Sequence, residues 1–302
     1  MAPQQSPVVR LRRLARVLED LRAKDGRTAG EVAGALGWAA TTITRMENGK
    51  MKLPQVRQVE KLLAVYGVAG DEREAVLDLV RAARERGWWH PHSGSLREGY
   101  LTYIGLEFEA DIIRNYQSQL VPGLLQTEEY ARAVITGLRP DMTQDQVEQR
   151  VEVRMRRQRL RLPAEAHHPA GPEPYGEPLS RLWAVIDEAV LRRQVGSPQV
   201  MRDQLQHLLT MADLSNVTLQ VIPYSVGAHP GTGPFVHLTF GDLDPELVYA
   251  DTITGELMVE AEQTVALYRL LWIYLTSTAL STEQSIDMIR GIVKTLPDPE
   301  VT

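Results

Sequence analysis

Residues 28–50, TAGEVAGALGWAATTITRMENGK, constrain the fold of this 302-residue chain more than any other stretch. Thr28 carries the hydroxyl of a helix N-cap, Val32, Ala33 and Leu36 recur at helical spacing, and Gly37 supplies a turn. A second short helix follows, anchored by Ile43 and Met46 and ended by Asn48 and Gly49. Ala40, Thr41, Thr42, Thr44 and Arg45 are left facing outward. Two short helices on a tight turn, the second polar on its outer side, make a helix-turn-helix. In that motif the second helix enters the major groove of DNA, where its N-terminal residues meet base edges.

The flanks extend the motif to a five-helix unit. Leu11, Leu14, Leu18 and Leu21 give one apolar face to a helix that ends near Asp25 and Gly26. Pro54 is expected to open a helix through Val56, Val59, Leu62, Leu63 and Tyr66, and Asp71 a last one through Val76, Leu79 and Val80. Residues 9–86 therefore read as one helix-turn-helix domain. Charge adds an independent argument. The formal net charge is -6, yet residues 1–90 hold 16 Lys and Arg against 11 Asp and Glu, leaving 17 against 28 for the remainder. Phosphate contacts need such a basic surface, and Arg10, Arg12, Arg13, Arg16, Lys50, Lys52 and Arg57 can supply it.

The run ThrIleThrArgMetGluAsnGlyLys, followed by Leu53 and Pro54, resembles the phage-repressor-like, Xre-type DNA-binding domain. Geometry and resemblance together imply base contacts at Ala40, Thr41, Thr44 and Arg45 on a recognition helix spanning 39–47, and backbone contacts at Thr28, Thr42, Asn48, Lys50, Lys52 and Arg57. Arg45 can take guanine O6 and N7 in a bidentate pair, worth about 1–3 kcal/mol of discrimination. Glu47 is expected to bond within the domain, since an outward carboxylate would repel phosphate. Two positions depart from the family pattern: Ala29 stands where a phosphate-bonding glutamine is frequent, and Ala39 where a serine caps the recognition helix. The missing cap costs that helix about 1 kcal/mol or less.

The remaining two-thirds of the chain is a second domain, 97–295, after a linker at 87–96 where Pro and Gly cluster. Cysteine is absent, which excludes disulfides, thiolate catalysis and zinc–thiolate sites. No lysine lies between Lys61 and Lys294, which removes Schiff-base chemistry and Walker-type nucleotide hydrolysis from this region. Residues 100–136 read as helices interrupted by a turn at Pro122 and Gly123, with Thr127 capping the second. Further helices are expected over 143–162, 197–213, 260–280 and 281–295, the last opened by a Ser281/Gln284 capping box. Strand-like runs at 182–186, 217–222, 235–240, 247–250 and 256–259 suggest one largely antiparallel sheet. Residues 163–178, with five prolines, read as a flexible insertion.

The constellations of this domain speak weakly for chemistry. Asp187, Glu188, Arg192 and Arg193 read as salt-bridged surface, and Gly227 to Phe235 as a tight turn that lacks the lysine and following helix of a phosphate loop. His229 and His237 are too few for a metal site, and His167 and His168 fall in the insertion. The helix 150–161 has Arg154, Arg157 and Arg161 along one side; pairing with the acidic surface of the domain competes with contact to DNA or an acidic partner.

The ordered strings ValProGlyLeuLeuGlnThrGluGluTyrAlaArgAla, ArgValGluValArgMetArgArgGln, LeuTrpAlaValIleAspGluAlaValLeuArgArg and AsnValThrLeuGlnValIlePro resemble actinobacterial regulators that join an Xre-type helix-turn-helix to an antitoxin-like domain of unknown function. The chain thus reads as α+β: an all-α five-helix Xre-type domain followed by a larger mixed α/β domain. The resemblance implies a transcriptional regulator of double-stranded DNA with no established enzymatic activity; the limited specificity of one small domain predicts a homodimer, the lack of cysteine, signal peptide and spanning stretch a cytoplasmic protein without membrane contact, and no cofactor or metal is expected. Two other readings stay open: an antitoxin-like protein that neutralises a small partner encoded nearby and autoregulates, and a small-molecule receptor with a pocket near Trp183, Tyr224, His229 and Phe235.

Overall fold

Capping residues punctuate the N-terminal part of the chain, seen in a computed structural model that describes residues 6–49, 54–85, 87–92, 94, 96–162, 179–241, 244–252 and 255–297. Helix α1 (Pro7–Asp25) starts behind Ser6, whose hydroxyl accepts the Val8 N–H, and stops at Gly26. Helix α2 (Ala29–Leu36) starts from a full capping box between Thr28 and Glu31 and stops at Gly37, whose φ of 66° a residue with a Cβ rarely adopts. Helix α3 (Ala40–Glu47) has Ala39 at its N-cap and no side-chain bond there, as the missing serine implies. Helix α4 (Val56–Val65) is opened by a Gln55/Gln58 capping box, so Pro54 precedes the helix rather than starting it. Helix α5 (Gly70–Ala82) has Asp71 and Glu72 in its first turn, where the helix dipole favours acids.

These five helices close over one apolar cluster. Leu14 and Leu18 from α1, Val32 from α2, Ile43 and Met46 from α3, Leu62 and Leu63 from α4 and Val76 and Leu77 from α5 are all buried in it. Each such side chain contributes about 1.5–3 kcal/mol on burial, enough to hold short helices that would be marginal alone. By contact density the chain divides into this unit, residues 2–90, and a second, residues 91–302.

The second unit is built on a six-stranded sheet flanked by helices, so the chain as a whole is α+β. In chain order its elements are α6 (Glu98–Glu109), β1 (Ile112–Gln117), α7 (Glu128–Leu138), α8 (Gln144–Arg161), β2 (Arg181–Asp187), α9 (Glu188–Arg192), α10 (Pro198–Ala212), β3 (Val217–Ile222), β4 (Phe235–Thr239), β5 (Leu247–Thr252), β6 (Gly255–Val259), α11 (Glu262–Thr278) and α12 (Thr282–Thr295). The strand order is β3-β2-β1-β4-β5-β6. The five strands expected from the sequence are present. The sixth, β1, lies in the stretch read as helical, and it is central.

Strand β1 also changes the sheet's character. It pairs parallel with β2, which pairs parallel with β3, whereas β4, β5 and β6 run antiparallel. The sheet is therefore mixed, not largely antiparallel. Parallel neighbours need crossovers, which the chain between β1 and β2 and α9 and α10 between β2 and β3 provide. Strand alternation then sorts side chains onto two faces. Tyr116, Val185, Phe235 and Val248 point to one face and pack under Trp272 and Leu275 of α11. Their alternates Asn115, Val236 and Tyr249 face the other side.

Candidate nucleic-acid interface

Helix α3 is held by its inner face and has an exposed outer face. Ile43 and Met46 are buried among α1 and α2, while Ala40, Thr41, Thr44 and Arg45 are exposed. Arg45 forms no hydrogen bond or ion pair among the described residues and projects its guanidinium from the last turn of the helix. The Thr44 hydroxyl donates to the Ala40 carbonyl at 3.3 Å. That back-bond leaves its lone pairs able to accept from a base edge. Thr42 is half-buried beside them, and Asn48, at the C-cap, is exposed.

Glu47 behaves as the sequence suggested. Its carboxylate accepts from Arg22 Nε at 2.7 Å and is almost enclosed, tying α3 to α1. Tyr66 lies near this pair, and burial, with the Glu47 charge, pushes its phenol up to about 12. Thr28 has the structural task that its place before α2 implied. Its hydroxyl accepts the Glu31 N–H and donates to Glu31 Oε2 at 2.8 Å, so the group is engaged and a carboxylate sits beside it. Among the other expected cations, Arg57 is exposed and unpaired among the described residues, whereas Arg10 bonds Glu85 at 2.9 Å and the Ala82 carbonyl. Lys50 and Lys52 lie outside the described residues.

Three of the four residues expected to line an effector pocket lie away from the cleft that the described residues form. Trp183 and Phe235 point to the α11 face and fill its core, where Trp183 meets Trp272 edge-to-face at 5.7 Å and donates to Gln220 Oε1. Tyr224 is exposed in a short 3-10 turn. His229 bridges locally, accepting the Gly231 N–H and lying 3.4 Å from Asp187. Gly231 is required there, because a Cβ would come within 2.5 Å of Tyr116 Oη. That cleft is on the opposite face of the sheet, and of the four residues only Phe235 touches it.

The acid-rich segments have structural tasks as well. Asp187 caps α9 by accepting the Ala189 N–H at 2.7 Å, and Glu188 binds Arg192 and the Tyr224 N–H. Glu128, Glu129 and Glu148 converge on Arg132, joining α7 to α8. The arginine helix pairs within its own domain at one position, and there with a buried acid and not a surface one. Arg157 is buried against Glu107 of α6 through two bonds, at 2.8 and 2.6 Å, and Arg161 is buried against the Ala110 carbonyl. The pull of Glu107 holds the Arg157 guanidinium well above its ordinary pKa despite burial. The insertion 163–178, with His167 and His168, lies outside the described residues.

A short helix held by its apolar side, exposing threonines and an arginine on a basic five-helix unit, defines a helix-turn-helix DNA-binding module. Comparison with known families agrees: residues 13–76 match a helix-turn-helix domain, which makes the chain a DNA-binding regulator. Residues 100–291 match the domain of unknown function DUF5753, and the chain belongs to that family. No curated protein and no solved structure matches it. Among the described residues no helix is long and apolar enough to cross a membrane.

Proposed function

We propose that the chain is a cytoplasmic, sequence-specific transcriptional regulator of the Xre type, with α3 in the major groove and Arg45 reading a guanine. The observation that supports this most is the setting of Arg45: exposed, unpaired among the described residues, and opposite the buried Ile43 and Met46. Ala40 and Thr41, at the N-terminal end of α3, and Thr44 complete the base-facing row. Thr42, Asn48 and Arg57, with Lys50 and Lys52, supply backbone contacts and charge. This reading assigns no catalysis, cofactor or metal to the chain, and the actinobacterial kinship rests on the sequence strings alone.

One small domain reads too few base pairs for high specificity, so the reading includes a homodimer on two half-sites. Helix α11 supports this, because Leu267, Leu270, Ile273 and Tyr274 are about half to two-thirds exposed along one side of it. The same face favours the second reading, in which a small partner protein docks there and DNA binding is autoregulatory.

Selection from a random duplex library with the full chain tests the first reading. A short palindrome with half-sites roughly 10 base pairs apart is expected; equal affinity for random DNA would refute it. Light scattering should give a dimer that Leu267→Glu with Ile273→Glu converts to monomer. A parent protein that is monomeric on and off DNA would remove the dimer.

A further inference from the structure

On the sheet face opposite α11, a cleft of about 590 Å³ opens between α6, α8 and the strands. That volume is in the range of small-molecule sites. Arg150, Arg154 and Arg157 of α8 line it, spaced four and three residues apart and hence on one helix face. They are not equivalent. Arg157 is matched by Glu107. Among the described residues Arg154 reaches only the neutral Gln126 Oε1, at 2.8 Å, and its buried Nε has no acceptor. Arg150 is half-buried, its Nε also without an acceptor, and no carboxylate among the described residues pairs with either.

The surroundings of Arg150 sharpen the contrast. Burial lowers its pKa, and Arg139, Arg154 and Arg97 push in the same direction. A guanidinium cannot escape by losing its proton, so the charge stays where the fold has partly desolvated it. Facing these arginines is a stack of phenols, Tyr100 on Tyr103 at 6.1 Å and Tyr103 on Tyr249 at 4.2 Å. Asp251 and Glu256 stand toward the β5–β6 end, where burial and the neighbouring Glu256 raise the Asp251 carboxyl.

We infer that this cleft binds a small organic anion, a carboxylate or phosphate carried on a flat ring, with its oxygens on Arg150 and Arg154 and its ring beside the tyrosine stack. Guanidinium groups recognise both oxyanions through paired N–H donors, and phenol faces accept planar rings. The acids at the far end set the ligand's polarity: its tail there is neutral or cationic, never a second anion.

Calorimetric titration of the full chain with phenyl phosphate, benzoate and the neutral benzamide tests this. Saturable binding of at least one anion, and none of benzamide, is expected. Phenyl phosphate alone would identify a phosphate ester as the ligand class, benzoate alone a carboxylate. Arg150→Gln and Arg154→Gln should each weaken binding about 10-fold or more, the loss of a charged hydrogen bond. Arg159→Gln, on an exposed position of the same helix, should leave it unchanged. In the absence of ligand Arg150→Gln should raise Tm, because it removes an uncompensated charge. No binding of either anion up to ~10 mM, affinity unchanged in both cleft variants, or binding and stability lost together would overturn the assignment. The titration contains no DNA, so its failure and failure of the DNA-binding reading are read separately.

Discussion

Arg45 on α3 and Arg157 on α8 are the same side chain in opposite settings. Arg45 is exposed and has no partner among the described residues, whereas Arg157 is buried and held by both oxygens of Glu107. The local sequences do not separate them, since both sit on short-spaced polar helix faces. The separation comes from what each unit places opposite. The N-terminal unit closes its helices over aliphatic side chains and leaves Arg45 and Arg57 exposed, without a partner among the described residues. The second unit draws an ion pair into the contact between α6 and α8, where it is withheld from any partner and serves to register two helices. An arginine-rich segment is therefore evidence for anion binding only where the fold does not provide the anion.

The largest effect that tests this contrast is expected from Glu107→Gln. It strands the buried Arg157 guanidinium and should cost about 3–5 kcal/mol, read as a lowered denaturation midpoint of the second unit. Replacing both residues with methionine should recover most of the loss. If the single variant is as stable as the parent, the pair is not a closed structural unit. Next comes Arg45→Ala, which should leave Tm unchanged and remove about 1–3 kcal/mol of discrimination at one base position. Arg57→Ala, by contrast, should weaken every duplex alike and reduce the salt slope by about one. Equal losses on selected and random DNA for both variants would break the distinction between reader and clamp.

A smaller gain is expected from Ala39→Ser. It supplies the absent cap of α3 and should stabilise that helix by about 1 kcal/mol, visible as slower amide exchange across α3. No change in exchange would mean that the end of α3 is set by packing of Ile43 and Met46 alone.

The smallest effect is a slope. His237 is buried beside Glu246 at 3.0 Å, with Arg114 and Arg269 also near, and burial holds its imidazole below the ordinary 6.5. Its folded pKa lies under the unfolded one, so the stability it contributes is complete above about pH 6.5 and is lost as pH falls through the lower folded value. His237→Gln should flatten the stability profile on the acid side of neutrality. An unchanged profile would show that Glu246, whose pKa is also lowered, carries the acid sensitivity.

The two units also differ in how much of them could be read in advance. In the first, Thr28, Gly37, Ile43, Met46 and Glu47 all stand as their spacing implied, and only Pro54 needed revision. In the second, β3 begins and ends where its alternating residues do, and Ser281 and Gln284 form the expected box. Strand β1 was illegible because IIRNYQ carries Arg, Asn and Gln, which score poorly as a strand. The Arg114 head is accommodated by Thr239 at 2.8 Å, and Asn115 by Gln117, neither visible without the sheet. The surroundings of Trp183 and Phe235 were hidden for a related reason. Both are aromatic, and only strand alternation points them to the α11 core. The signal that could have found the cleft was the arginine row at 150, 154 and 157 together with Tyr100 and Tyr103 on a preceding helix.

Sequence alone determined the helix ends, the turn of the helix-turn-helix, the outward row on α3 and most strands. Caps, left-handed glycines and hydrophobic periods act through neighbours a few residues away. The tertiary structure decided that β1 is a strand, that three strands run parallel, that Arg157 is neutralised while Arg150 is not, and where a cleft lies. Each of those depends on groups far apart in the chain, as Glu107 and Arg157 are at 50 residues, and only the folded chain determines which distant charge or strand edge arrives opposite.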